Sequence, residues 1–233
     1  MHIGFFDSGL GGKLVADYFS RLHPEYSIII RNDAQNMPYG NKSEEVLRKL
    51  LEENIIALFN QGCALVIVAC NTLSVRLVRV IQDELVQKKY SDRKVLGVVI
   101  PTVEVMDELP ETKFLLLATE STVASQRYED ELKSRQAVKQ VVSIPIPKLA
   151  LLIEQGDMNT AQQVVDQVIG VSMDYEVIVL ACTHYCVLKE YLRNRYLNKK
   201  VLSQDEIVAE KLQEYLVNHP EMHNQLRYGI TDA

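Results

Sequence analysis

Short, unbroken runs of apolar residues recur along the chain, and segments with helical periodicity separate them. Because most of these runs do not alternate with polar residues, they predict strands that are covered on both faces. The predicted strands are His2–Phe6, Tyr26–Arg31, Ala64–Ala69, Val95–Val99, Phe114–Ala118, Val138–Ser143 and Val177–Ala181. The predicted helices are Lys13–Leu22, Ser43–Gln61, Asn71–Lys89, Thr122–Arg135, Thr160–Val171 and Val187–Arg195, followed by a helix from about residue 205 and a polar tail, Asn218 to Ala233.

The helix between Ser43 and Gln61 has the clearest pattern. Ser43 can cap its first turn, and Glu44 and Glu45 lie near the positive end of its dipole. Gly62 can end it.

The regular alternation of strands and helices predicts an α/β fold with parallel sheets and helices on their faces. The sequence strand–Ala–Cys followed by two polar residues occurs at Cys70 and again at Cys182, which indicates two similar open parallel-sheet α/β domains. Pro101 lies near a plausible boundary. We therefore predict a first domain from residues 1–98 plus 207–233, on the Cys70 side, and a second domain from residues 99–206, on the Cys182 side.

Composition narrows the classes of function. The 233 residues carry a net charge of -6 without a basic face, so we expect no nucleic-acid partner. No apolar run is long enough to cross a bilayer, and the short stretch Ile3 to Phe6 lacks the features of a signal peptide, so we expect no membrane partner. Four cysteines in a chain of this length do not form a disulfide scaffold, and we expect reduced thiols in a cytoplasmic protein.

Cys70 and Cys182 are the most informative side chains because each follows an apolar strand. Buried free cysteines are often simple small hydrophobes. Ligands, however, bind at the carboxyl edge of parallel sheets, where both cysteines are predicted to lie. The backbone amides at the start of a helix also favour the thiolate form of a cysteine. Two thiols that face one ligand from opposite sides could remove a proton from one face of a carbon and return it to the other face.

Polar residues follow both cysteines. Asn71 and Thr72 add donors after Cys70, and His184 is a candidate acid/base partner two positions after Cys182. The first strand ends in a glycine-containing loop, Asp7 to Gly12, which fits neither the Rossmann nor the P-loop spacing. It is either a tight turn or a carboxylate-binding loop that places Asp7 beside the reacting centre.

Further polar segments allow two interpretations each. Asn36 to Gly40, with Asp33 nearby, is a turn or a second ligand loop, and Thr119 to Thr122 is a helix cap or a ligand contact. Glu154 is a single carboxylate after an apolar run. Cys63 is expected in the core. The set Cys182, Cys186, His219 and His223 fits the spacing of zinc sites poorly, so we expect no metal.

Taken together, these segments resemble glutamate racemases, a branch of the cofactor-independent aspartate/glutamate racemase family. The resemblance extends from residue 3 to about residue 210. The matching pieces, in the family's order, are Phe6-Asp7-Ser8-Gly9-Leu10-Gly11-Gly12, Asp33, Pro38-Tyr39-Gly40, Ala69-Cys70-Asn71-Thr72, Ala118-Thr119-Glu120 with Thr122, Leu152-Ile153-Glu154 and Cys182-Thr183-His184-Tyr185.

The resemblance implies an active site in the cleft between the two domains, with no metal and no cofactor. It implies that Cys182 deprotonates L-glutamate with help from His184, and that Cys70 deprotonates D-glutamate with help from Asp7. Asp33 and Glu154 match supporting acidic positions. The implied substrate-binding residues are Ser8, Tyr39, Gly40, Asn71, Thr72, Thr119, Thr122 and Thr183. In bacteria this activity supplies D-glutamate for peptidoglycan.

The chain departs from the family at a few positions. Ala181 replaces a usual Gly, Cys186 a usual Pro, Asn32 a common Gly, and Ser203-Gln204 a frequent Asp-Ser. The rival interpretations are a racemase or isomerase for aspartate or another small acid, and a non-catalytic amino-acid-binding protein that retains the pocket. The sequence leaves a homodimer open.

Overall fold

The computed structural model describes residues 1–170 and 174–227 of the chain, and these form two four-stranded parallel sheets with helices around them. The strand order is β2-β1-β3-β4 in the first sheet and β6-β5-β7-β8 in the second sheet. The strands are β1 His2–Asp7, β2 Ile28–Asn32, β3 Cys63–Val68, β4 Lys94–Gly97, β5 Lys113–Ala118, β6 Gln140–Pro145, β7 Val177–Ala181 and β8 Lys200–Ser203. The predicted fold class is confirmed.

Thirteen α-helices and several shorter turns connect these strands within the described residues. The α-helices are α1 Gly11–Leu22, α2 Glu44–Asn60, α3 Asn71–Arg76, α4 Val78–Ile81, α5 Gln87–Lys89, α6 Val99–Glu108, α7 Glu120–Ala124, α8 Arg127–Ser134, α9 Leu149–Glu154, α10 Met158–Gly170, α11 Lys189–Arg195, α12 Gln204–Asn218 and α13 Pro220–Arg227. Ala34–Asn36, Tyr39–Asn41 and Thr183–Leu188 form 3₁₀ turns, and Gln82–Val86 forms a π turn between α4 and α5.

The cores explain why these elements form where they do. Every residue of β3 and of β7 is buried, as expected for inner strands covered by helices on both faces. Ser43 caps α2 through Val46, as predicted.

Several elements differ from the sequence prediction. Strand β8 and helix α9 were not predicted, because both are shorter than the windows that periodicity needs. The strand predicted to end at Val99 stops at Gly97, and α6 begins at Val99. The long helix predicted from Asn71 to Lys89 is interrupted at Leu77.

The polar tail predicted from Asn218 is wrong over residues 220–227, which form α13. Met222 and Leu226 lie one helical turn apart and are buried against the first sheet, and this contact stabilises a helix that is polar elsewhere. Residues 228–233 of that tail, and Val171 at the predicted end of α10, lie outside the described residues.

Helix α12 returns the chain from the second sheet to the first sheet. Its residues Val208, Leu212 and Leu216 belong to the same buried cluster as Ile3 and Phe5 of β1. This packing agrees with the assignment of the C-terminal segment to the first domain, and the exact domain limits stay a prediction. In the portion of the chain described here, no helix combines the length and apolarity needed to cross a membrane.

Candidate active site

The strands of both sheets end around one cavity of about 570 Å³. Cys70 follows β3 and Cys182 follows β7, and both thiols line this cavity. Each cysteine is only 5% exposed, so both thiols lie at the buried wall of this one cavity. A larger cavity of about 720 Å³ beside β4 and α12 contains neither thiol. The convergent polar groups therefore identify the site better than volume does.

Most of the predicted site residues meet in this cavity. Those that line it are Asp7, Ser8, Tyr39, Gly40, Cys70, Asn71, Thr72, Thr119, Cys182, Thr183 and His184. Three predicted residues, Asp33, Thr122 and Glu154, do not line it and instead bind residues that do.

His184 joins Cys182 to a carboxylate. Its Nδ1 lies 3.9 Å from Cys182 Sγ, and its Nε2 lies 2.6 Å from Glu154 Oε1. Because the carboxylate accepts a hydrogen bond from Nε2–H, the unprotonated nitrogen of the neutral ring is Nδ1, which faces the thiol. The backbone N–H of Leu10 donates to the same oxygen of Glu154 at 2.7 Å. This arrangement allows His184 to accept the thiol proton.

Asp7 connects the two halves of the site. Its Oδ1 accepts from the Ser8 backbone N–H at 2.8 Å, and its Oδ2 accepts from Thr183 Oγ1 at 3.0 Å. Ser8 Oγ lies 3.5 Å from both Asp7 Oδ1 and Cys70 Sγ. One carboxylate thus reaches the Cys70 side through Ser8 and the Cys182 side through Thr183.

Burial controls the protonation of the site. Loss of solvent and the nearby charge of Asp7 raise the pKa of Cys70 to about 12, although the backbone amides of Leu73 and Ser8 act in the opposite direction. Loss of solvent also raises the pKa of Cys182 and of Asp7. The helix-start amides were expected to favour a thiolate at Cys70. These amides do lower the pKa of Cys70, but the effect of burial is larger.

The glycine loop leaves room for these contacts. A Cβ at Gly9 would lie 2.2 Å from Glu154 Oε1 and 2.8 Å from His184 Nε2. A Cβ at Gly11 would lie 2.2 Å from Thr183 Oγ1. Neither glycine lines the cavity. The loop therefore binds a carboxylate of the protein itself, and its glycines allow the two halves to approach closely.

Asp33 and the loop after β2 form a second polar group. Asp33 Oδ2 accepts from the Tyr39 hydroxyl at 2.6 Å, and both carboxylate oxygens accept from Asn36 Nδ2. Burial and the Asp33 hydrogen bond raise the pKa of Tyr39, so its hydroxyl stays protonated. Asp33 therefore holds Tyr39 and Gly40 at the wall of the cavity.

Three threonine hydroxyls are in contact at one wall of the cavity, which Thr72 and Thr119 line. Thr119 Oγ1 lies 3.4 Å from Thr72 Oγ1 and 2.9 Å from Thr122 Oγ1. Thr119 also caps α7 through the backbone N–H of Thr122. The sequence left a helix cap or a ligand contact open for Thr119 to Thr122. Thr119 is a helix cap, and its side chain also borders the cavity.

The structure also shows residues that sequence reasoning missed. Asn71 is held from behind by the buried side chains of Gln204 and Tyr128. Both lie more than fifty positions away in sequence, so no local pattern signals this contact. Cys186 is buried outside the cavity, where burial and Asp205 raise its pKa to about 12.

Cys63 is buried in the core beside the first sheet, as expected. Across residues 1–170 and 174–227, no group of three or more His, Cys, Asp and Glu side chains is arranged to hold a metal ion.

Comparisons with known proteins agree with this geometry. Residues 16–211 match the Asp/Glu/Hydantoin racemase family. A glutamate racemase of Dinoroseobacter shibae is 35% identical over 95% of this chain and 86% of its own length. A glutamate racemase of Roseobacter denitrificans is 32% identical over 95% of this chain and 87% of its own length.

Solved structures show the same fold. A glutamate racemase isoform of Bacillus anthracis has a TM-score of 0.83 at 27% identity and covers 94% of this chain and 82% of its own. A Francisella tularensis glutamate racemase in complex with D-glutamate has a TM-score of 0.79 at 25% identity, over 94% of this chain and 82% of its own. The similarity therefore extends over both sheets and the cavity between them.

Proposed function

Because this chain belongs to the Asp/Glu/Hydantoin racemase family, we propose that it interconverts L- and D-glutamate by a two-thiol proton transfer at Cα, without a cofactor. The observation that carries the proposal is the convergence of Cys70 and Cys182, from matching strand ends of the two sheets, on one cavity. The names of the curated relatives favour glutamate over other small acids.

The forward reaction starts at Cys182. Its thiolate removes the α-proton of L-glutamate, and the C–H electron pair stays on Cα and spreads into the substrate carboxylate. The Cys70 thiol then donates its proton to the opposite face, which gives D-glutamate and leaves Cys70 as a thiolate. The reverse reaction exchanges the two roles, so every proton and electron pair is accounted for.

His184 and Asp7 set the protonation of the two sulfurs. His184 Nδ1 can take the thiol proton of Cys182, and Glu154 stabilises the resulting imidazolium through Nε2. Asp7 acts on Cys70 through Ser8, and its charge opposes ionisation of that thiol. The raised thiol pKa values also serve the chemistry, because a thiolate with a high pKa is a stronger base toward a weakly acidic C–H group.

Hydroxyl and amide groups around the cavity bind the substrate in this proposal. The side chains and amides proposed for this role are Ser8, Tyr39, Gly40, Asn71, Thr72, Thr119 and Thr183, with Thr122 acting through Thr119. In a cavity with little water these donors stabilise the negative charge that develops on the substrate carboxylate.

The product suggests the biological role. D-glutamate made in this way would enter peptidoglycan synthesis and so support cell-wall formation. We place the protein in the cytoplasm, and its four cysteines are free thiols, which agrees with a reducing compartment.

The test is racemisation by the purified protein with no added cofactor, followed by circular dichroism. We expect activity with L- and D-glutamate and a lower kcat/KM with aspartate. Cys70→Ala and Cys182→Ala should each abolish racemisation, whereas Cys63→Ala, which removes a buried thiol outside the cavity, should keep it. Tight glutamate binding without racemisation would favour a non-catalytic binding protein. A higher kcat/KM for aspartate would reject glutamate as the substrate.

A further inference from the structure

Asn71 and the three buried polar side chains behind it, Thr102, Tyr128 and Gln204, form a hydrogen-bonded group that we call the Asn71 cluster. Each is at most 3% exposed. They come from α3, α6, α8 and the start of α12, so both sheets contribute neighbouring elements to the cluster. Only Asn71 of these four lines the cavity that holds the thiols.

The amides of Asn71 and Gln204 pair with each other. Asn71 Nδ2 donates to Gln204 Oε1 at 2.5 Å, and Gln204 Nε2 donates back to Asn71 Oδ1 at 3.1 Å. The Tyr128 hydroxyl donates to the same Oδ1 at 2.8 Å and accepts from Gln204 Nε2 at 3.0 Å. Thr102 fixes the orientation of the pair, because its hydroxyl donates to the Val98 carbonyl at 2.8 Å and its Oγ1 therefore accepts from Gln204 Nε2 at 3.3 Å. With Gln204 held in this way, a rotated Asn71 amide would oppose donor to donor.

The pairing leaves one group of Asn71 unused. Its Oδ1 accepts two hydrogen bonds, and one of its two Nδ2 protons is donated to Gln204. The remaining N–H belongs to a side chain at the cavity wall. A fixed donor at this place suits a carboxylate and would not suit an ammonium group.

We propose that Gln204 is a positioning residue, which holds Asn71 as a hydrogen-bond donor toward a substrate carboxylate. This inference rests on the proposed function, because it assigns the carboxylate to glutamate. It is particular to this chain: the resemblance places a frequent serine at position 204, and a serine side chain has no amide to pair with Asn71.

Two near-isosteric variants test the proposal. Gln204→Met keeps the length of the side chain but cannot pair, and Tyr128→Phe removes one donor to Oδ1. We expect Gln204→Met to raise KM for both enantiomers about tenfold, as for a lost buried hydrogen bond, with kcat changed less. Tyr128→Phe should raise KM by a smaller factor. Calorimetric binding of D-glutamate should weaken by the same factors.

A double-mutant cycle separates positioning from stability. If Gln204 acts through Asn71, the double variant Asn71→Ala with Gln204→Met should be no weaker in kcat/KM than Asn71→Ala alone. The control is Asn54→Ala, which removes another buried amide, bound to Arg31 and to the Leu50 carbonyl away from the cavity. It should lower thermal stability and leave KM unchanged.

The outcomes are distinct. KM and D-glutamate affinity within twofold of the parent in both Gln204→Met and Tyr128→Phe would overturn the proposal while leaving the racemase function intact. A multiplicative loss in the double variant, or an equal rise in KM for Asn54→Ala, would also overturn it. A parent protein that binds glutamate without racemising it would reject the function, and the binding data would still decide the role of Gln204. No binding and no activity would reject both.

Discussion

The hydrogen bond between Glu154 and His184 offers a sharp test of the mechanism. Glu154→Gln keeps the shape of the side chain and removes its charge. The bond is short, 2.6 Å, and the two side chains are only 16% and 5% exposed, so solvent screens the interaction little. The glutamine oxygen can still accept from Nε2, so the variant loses only the difference between a charged and a neutral hydrogen bond, about 1–1.5 kcal/mol. This loss should lower kcat/KM by about 5- to 13-fold.

The two directions of the reaction must respond in a defined way. Because L- and D-glutamate have equal free energy, kcat/KM must fall equally in both directions for any variant. The asymmetry should appear in the isotope effect. Proton abstraction by Cys182 becomes slower, so the deuterium isotope effect on kcat/KM should rise with α-deuterated L-glutamate and fall with the α-deuterated D-enantiomer.

The assay is circular dichroism with each pure enantiomer, protiated and α-deuterated. Glu52→Gln is the matched control, since it makes the same change in an ion pair with Arg48 on α2, away from the cavity. An unchanged kcat/KM in Glu154→Gln, or isotope effects that move together for the two enantiomers, would refute the role of His184 as the partner of Cys182.

Three further predictions follow from burial and close contact. Burial raises the pKa of Asp7, so the contribution of this side chain to stability is fully present below the unfolded pKa of about 3.9 and is lost as the pH rises through the folded pKa. The free energy of unfolding of Asp7→Asn, measured in urea and relative to the parent, should therefore grow from about pH 4 to about pH 7. A difference that stays constant with pH would contradict this. Because the pKa of Cys70 is about 12, the rate at which iodoacetamide alkylates this thiol should keep rising up to about pH 10. Peptide mass spectrometry measures this rate, and a plateau near the ordinary thiol pKa of about 8.5 would show that Cys70 is not so buried. Gly9→Ala should reduce kcat/KM at least as much as Glu154→Gln, because the added Cβ would lie 2.2 Å from Glu154 Oε1. Gly170→Ala is the control and should keep parental activity, because a Cβ there would meet no neighbouring atom within 4 Å. Equal activity of the two variants would contradict the close approach at Gly9.

Much of this architecture can be predicted from the sequence, because a change from apolar to polar residues marks where each inner strand ends. Cys70 and Cys182 are recognisable since each follows a continuous apolar run, and the edge of a parallel sheet then brings them to the same side. Strand β8 was missed because it is too short to show a periodic pattern, and helix α13 was missed because its stability depends on contacts with distant residues. The same reason applies to Gln204, whose partner Asn71 is 133 positions away.

The residues that line the cavity could be picked out from the sequence, but their contacts with one another could not. Glu154 stood alone in the sequence after an apolar run, and only the fold brings its carboxylate to His184. The helix-start amides at Cys70 were visible from the sequence, but the degree of burial that outweighs them depends on both halves closing around the cavity.

The return of α12 to the first sheet has a consequence for how the protein is made on the ribosome. The strands of the second sheet, β5 to β8, are contiguous in the chain and can assemble as soon as they emerge. The apolar face around Ile3 and Phe5 is completed only by Leu212 and Leu226, which are translated after the whole second sheet. A nascent chain that stalls before these residues exposes the part of that sheet face that α1 does not cover, and exposed apolar surface of this kind promotes aggregation.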